Sequence, residues 1–202
     1  MTLVGTNAPD FTAKAVVGDD IVTYTLSDNW KNGKYTLLFF YPKDFTFVCP
    51  TEIVAFSDRI KDFRDRNVEV VACSTDQEFS HLAWNKVTRT DGGLGGVEYP
   101  IVADTTKDIA TAYGVLHPKD KVAYRGLFLI DENGVVRHML VNDMPLGRSV
   151  DEALRMVDAL QYFQQHGEVC PANWTQGELT IKANPEDSRE YFRKANRVTA
   201  TH

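Results

Sequence analysis

Residues 35–41 read Tyr-Thr-Leu-Leu-Phe-Phe-Tyr, a short and nearly continuous apolar run. A run of this kind suits a strand covered on both faces, because a half-exposed strand would alternate polar and apolar residues. Residues 68–74 (VEVVACS) and 127–130 (LFLI) have the same character. Between the first two runs, Ile53, Phe56, Ile60 and Phe63 recur at helical spacing and define one apolar face. Pro50 suits the first position of that helix, where a missing N–H costs nothing. Strand, helix and strand then form a right-handed crossover with its two strands parallel.

The remaining segments add layers to that unit. Asp131-Glu132-Asn133-Gly134 separates 127–130 from the apolar run 135–142, and Asn-Gly there predicts an antiparallel hairpin. Apolar spacing predicts helices near 78–87 and 106–113, the latter stopped by Gly114. A further helix starts at Ser149, with Glu152 three residues on as a capping box, and Gly167 closes it. The order of elements implies an α/β chain with a thioredoxin-like layer and a C-terminal extension.

Composition shifts after Gly167, so the expected division is a main domain at 1–166 and an arm at 167–202. Asn184-Pro185-Glu186-Asp187 predicts one more helix, carrying Tyr191 and Phe192. This arm is too poor in aliphatic residues to bury a core alone. It has to pack on the main domain or on another subunit, or stay mobile.

Charge and cysteine use narrow the class. The formal net charge is −6 and no basic run occurs, which argues against nucleic acid as a partner. The N-terminus lacks the basic and apolar pattern of a signal peptide, and no apolar stretch reaches bilayer length, so no membrane is expected. A reducing, cytoplasmic location follows as an expectation. Three cysteines there are core residues, ligands or reactive thiols rather than a disulfide framework. They lack ligand spacing with any histidine, so no metal is expected.

Cys49 stands just before the predicted helix, as its N-cap. A helix start presents unpaired N–H groups and about half a positive charge, which favours a thiolate. Thr46 offers a hydroxyl that could donate to the sulfur or to a bound oxygen, or, on the plainer reading, bond its own backbone in a turn, and Pro42 could shield the sulfur from water. On placement alone, an inert buried cysteine and a reactive one both stay open. There is no Cys-x-x-Cys, so a dithiol oxidoreductase is not indicated.

The segment Pro42-Lys43-Asp44-Phe45-Thr46-Phe47-Val48-Cys49-Pro50-Thr51-Glu52 resembles the active-site signature of the peroxiredoxins, PxxxTxxC. Ser80-His81-Leu82-Ala83-Trp84, Arg125-Gly126-Leu127-Phe128 and Gly167-Glu168-Val169-Cys170-Pro171 resemble family segments in the right order. Val-Cys-Pro near the C-terminus points to the typical two-cysteine subclass. The resemblance implies that Cys49 is the peroxidatic cysteine and Cys170 the resolving one, in a partner subunit. It implies that Thr46 and Arg125 orient the peroxide, that Glu52 helps hold the arginine, and that Trp84 is a nearby aromatic whose default role is packing. Hydrogen peroxide or organic hydroperoxides would be substrates, with no cofactor. A thioredoxin or a flavoprotein disulfide reductase would supply electrons, and homodimers would assemble into a decamer.

Gly92-Gly93-Leu94-Gly95 reads by itself as a flexible turn. Together with Tyr191-Phe192, it resembles the motif pair of easily overoxidised peroxiredoxins. In those, slow local unfolding leaves the sulfenic acid open to a second peroxide. Cys73 reads as a core residue, and His81, His117, His138 and His166 receive no catalytic task. A peroxide sensor and a holdase chaperone are roles the resemblance also allows.

Overall fold

The structure is a computed structural model that describes residues 2–197. The chain divides into two compact units, one up to Val150 and one from Asp151 onward.

The first unit is built on a seven-stranded sheet in the order β2-β1-β5-β4-β3-β6-β7. Its strands are β1 (Thr12–Val17), β2 (Asp20–Thr25), β3 (Tyr35–Phe40), β4 (Val68–Ser74), β5 (Ile101–Ala103), β6 (Arg125–Ile130) and β7 (Val136–Asn142). β3 and β4 are parallel, as the crossover between them requires. β6 pairs antiparallel with both β3 and β7. The expected hairpin is present: the Asp131 carboxylate accepts the N–H groups of Asn133 and Val135, both at 2.9 Å, and Gly134 takes a positive φ. The fold is therefore the thioredoxin-like α/β arrangement, enlarged by strands that the hydrophobic pattern alone did not resolve.

Those additional strands are β1, β2 and β5. β1 and β2 form an antiparallel hairpin around Gly18-Asp19, and β5 joins it to β4. α1 (Ser27–Lys31) follows the hairpin.

Alternate residues of β3 feed two cores. Phe39 stacks on Phe56 at 4.6 Å between ring centroids and meets Tyr99 edge-on. Phe40 points the other way, to Phe128 and Tyr113. The crossover lies on the Phe39 side. It is two helices rather than one, α2 (Val48–Asp58) and α3 (Ile60–Arg64). The break falls at Arg59, whose φ of −104° and ψ of 12° leave the helical region. Phe56 and Phe63 still pack together across it, so the apolar periodicity persists through a discontinuity it could not reveal. α4 (Glu78–Asn85) and α5 (Asp108–Ala112) occupy the two expected helical stretches.

The second unit contains α6 (Val150–His166) and α7 (Ser188–Arg197). The expected boundary at 166/167 is displaced to 150/151, because α6 is fastened to the segment after it. Arg155 donates to the Trp174 carbonyl, the Tyr162 and Trp174 rings lie 5.1 Å apart, and the Cys170 thiol approaches the Ala159 carbonyl at 3.6 Å. Val169 and Ile181 form an antiparallel bridge. Gly167, with a positive φ, ends α6 as anticipated.

Candidate active site

β3 ends at Phe40, and a tight loop carries the chain from Tyr41 to the start of α2. The helix begins two residues earlier than the sequence suggested. Phe47 is its N-cap, so Cys49 is the second helical residue and Pro50 the third. Proline is accommodated because the N–H groups of the whole first turn lack an intrahelical acceptor. Cys49 remains within the reach of the helix start, which is the feature that matters electrostatically.

The sulfur is 1% exposed, and a guanidinium N–H of Arg125 points at it from 3.4 Å. Arg125 enters from the first position of β6, where burial on both faces allows no solvent to compete. Its Nη1 also donates to Glu52 Oε2 at 2.8 Å, and its Nε donates to the Met144 carbonyl at 2.6 Å. The guanidinium is thus fixed at three points and has no freedom to leave the sulfur.

Glu52 lies one helical turn after Val48 and is itself buried. It accepts from a second arginine, Arg148, which the sequence reading missed. Arg148 donates its backbone N–H and Nε to Glu52 Oε1, both at 2.8 Å, and Nη2 to Oε2 at 2.9 Å. Its Nη1 donates to the carbonyls of Phe40 and Gly126, and the guanidinium lies over the Phe39 ring at 5.1 Å. Arg148 therefore joins α2, β3 and β6. A faint signal existed: a cation two residues before a helix disfavours that helix's positive end, so it must be compensated elsewhere.

Gly126 is required at this junction. A Cβ there would stand 2.7 Å from Val115 Cγ1, while its carbonyl must reach Arg148.

Two expectations change. The Thr46 hydroxyl does not donate to sulfur; it donates to the Lys43 carbonyl at 2.8 Å and closes a turn. Its lone pairs remain available as acceptors. The Gly92-Gly93-Leu94-Gly95 segment is not a loose turn. It is hydrogen-bonded back onto α4 and the residues after it: Gly93 N–H to Thr88, Leu94 N–H to Trp84, Gly95 N–H to Val87, and Trp84 Nε1–H to Gly92. Leu94 is fully buried, and a Cβ on Gly93 would collide with the Val87 carbonyl at 2.2 Å. Trp84 is buried against Tyr41 and Phe45, the packing role expected for it. Pro42 is buried in the same loop.

Cys73 sits inside β4, where burial first and Asp104 second push its thiol well above the ordinary range. Cys170 belongs to the second unit and is partly exposed. Burial raises its thiol too, with Arg155 acting in the opposite direction. Tyr191 and Phe192 lie edge to face on α7, with Phe192 half-exposed. Among the described residues, no group of three His, Cys, Asp or Glu side chains is placed to hold a metal, and no helix is long and apolar enough to cross a membrane.

The AhpC/TSA family profile matches residues 4–139, and the profile of the C-terminal domain of 1-Cys peroxiredoxin matches residues 159–194. Peroxiredoxin-2 of Mus musculus is 56% identical over 193 residues, 96% of each chain. This chain is a typical two-cysteine peroxiredoxin. A thioredoxin peroxidase of Trypanosoma brucei rhodesiense is 59% identical over 164 residues, covering 81% of this peroxiredoxin and 82% of that relative. The reduced 2-Cys peroxiredoxin of Plasmodium vivax superposes with a TM-score of 0.91 at 45% identity, over 96% of this chain and all of that one. Enterococcus faecalis AhpC superposes with a TM-score of 0.79 at 34% identity, over 85% and 100%. The peroxiredoxin is accordingly a thiol peroxidase, and the chemistry must be carried by its cysteines.

Proposed function

We propose that Cys49 is the peroxidatic cysteine and Cys170 the resolving one. The observation that carries this assignment is the Arg125 guanidinium aimed at the Cys49 sulfur from inside a sealed helix start. As a thiolate, Cys49 attacks one oxygen of the hydroperoxide. The S–O bond forms, the O–O bond breaks, and the leaving oxygen departs as water or alcohol after taking a proton. Sulfur is oxidised to sulfenic acid. Arg125 stabilises charge on the reacting atoms from a fixed position, and the Thr46 lone pairs accept the peroxide's O–H.

The Cys170 thiolate of a second subunit then attacks the sulfenic sulfur, releasing water and leaving a disulfide between chains. A thioredoxin or a flavoprotein disulfide reductase supplies two electrons to reopen it. A relative that is itself named a thioredoxin peroxidase supports the first of these reductants. The functional unit is a homodimer, with a decamer as the larger assembly, and the compartment is the cytosol. The stiff Gly92–Gly95 segment and the Tyr191-Phe192 pair support sensitivity to overoxidation, because slow opening around Cys49 prolongs the life of the sulfenic acid.

Non-reducing electrophoresis after one equivalent of peroxide tests the whole scheme. A dimer band is expected, and it should vanish in Cys49→Ser and in Cys170→Ser alike. A band that survives either substitution refutes the pairing.

A further inference from the structure

A buried acid–base pair lies beside the active-site loop, and the chemistry described so far does not use it. His81, on α4, is 0% exposed. Its Nε2 lies 3.2 Å from the Val102 carbonyl and its Nδ1 lies 2.8 Å from Asp44 Oδ2. A carbonyl only accepts, so Nε2 carries a proton. Asp44 Oδ2 and the Nδ1 lone pair would both be acceptors as well, so a second proton has to lie between them. Both side chains are shut off from water.

The surroundings hold that proton in place. Tyr41 donates its hydroxyl to Asp44 Oδ1 at 2.7 Å, and burial, reinforced by Asp44, pushes its phenol far above the usual range. The Asp44 N–H donates to Asp76 Oδ2, which also accepts from Ser74. Thus the loop after β3 presents Asp44 and Tyr41 to His81, β5 presents a carbonyl, and Asp76 at the end of β4 reaches the cluster through the Asp44 backbone. Glu78, on the same helix as His81, lines a different cavity with Lys14 and Asp104.

Asp44 is followed by Phe45, whose φ of +54° is uncommon for an aromatic residue. Such a conformation persists only where neighbours over-determine it. The same turn delivers Thr46 and opens α2 immediately before Cys49. We propose that Asp44 and His81 are a positioning pair, whose shared proton pins the Asp44–Phe45 turn and so sets Thr46 and the Cys49 sulfur against Arg125. Removing either partner leaves the other unpaired in a dry site, and the Tyr41 hydroxyl, 3.3 Å from Nδ1, could turn to His81 only by abandoning Asp44 Oδ1.

The inference rests on Cys49 as the reacting cysteine, and the experiment separates the two. The second-order rate of peroxide reduction is measured at neutral pH. His81→Leu, which cannot donate to Asp44, should react about tenfold to a hundredfold more slowly, the scale of a small misplacement, and His81→Gln, which keeps one N–H for Asp44, should recover part of that loss. In unmodified protein the proton between His81 and Asp44 should give a far-downfield NMR resonance that moves when Cys49 is oxidised, which covers the case of variants that do not fold. Equal rates in wild type and His81→Leu, no recovery by His81→Gln, or a resonance that is absent or unmoved by oxidation would overturn the proposal. Peroxide consumption by Cys49→Ser would overturn the underlying site assignment instead.

Discussion

Cys73 and Cys49 are both closed off from water, at 0% and 1% relative exposure, yet their surroundings differ in kind. Cys73 has apolar neighbours such as Phe40, Val71 and Val102 within a core cluster, and the charge that acts on it is the wrong sign. Cys49 has a helix start behind it and a guanidinium in front of it. Burial therefore does not distinguish a reactive thiol from an inert one. The distinction lies in whether the dry site contains fixed positive charge.

The largest expected effect attacks that contrast directly. Cys49→Ser should abolish peroxide consumption, while Cys73→Ala should leave turnover unchanged and cost about 1 kcal/mol of stability. Equal losses in the two variants, measured by peroxide consumption, would remove the contrast. Next in size is Arg125→Met, which keeps much of the volume but makes the Cys49 site resemble that of Cys73. A loss of about 10²–10³-fold in the rate of sulfur oxidation is expected, as for other fixed donors at developing charge. Arg125→Lys should fall between the two, since it keeps the charge without the fork.

Smaller effects concern Cys170, the third point of comparison. Burial holds its thiol above the ordinary range, and Arg155 pulls it down. Arg155→Ala should therefore raise it further, lower the thiolate fraction at neutral pH and slow disulfide closure several-fold. Higher pH should restore the rate, because the attacking form is the thiolate. Stopped-flow measurement of the step after sulfur oxidation reads this. The smallest effect is at the Arg89–Asp58 ion pair, 2.8 Å long and half-exposed on both sides. Arg89→Ala should change unfolding free energy by less than about 1 kcal/mol in a urea titration.

Much of the fold could be read from residue patterns because its central strands are unambiguous. β3, β4 and β6 carry continuous apolar runs and needed no context. The β1–β2 hairpin was not legible. Its segments TAKAVV and DIVTYT mix small and polar residues, and its partner β5 has three residues. The break at Arg59 has no glycine or proline to announce it. At the site, Cys49, Arg125, Glu52 and Trp84 came from motif resemblance; the structure joins the first three through Arg125 and packs Trp84 on Tyr41 and Phe45 of the preceding loop. Arg148 and the Asp44–His81 pair escaped notice because their significance is in long-range contacts that no local pattern encodes. Thr46 shows the converse: its local turn bond, the plainer reading, is the one present.

Glu52 is shared by two arginines, and that sharing has an ionic consequence for turnover. One carboxylate cannot neutralise two guanidiniums, and in the proposed scheme the unmatched positive charge is met by the reacting Cys49 thiolate. Consuming the thiolate removes a counter-ion. A neutral disulfide leaves a cation stranded in a dry interior, a costly state that favours letting water in. A sulfinate, by contrast, restores neutrality and lets the interior stay closed.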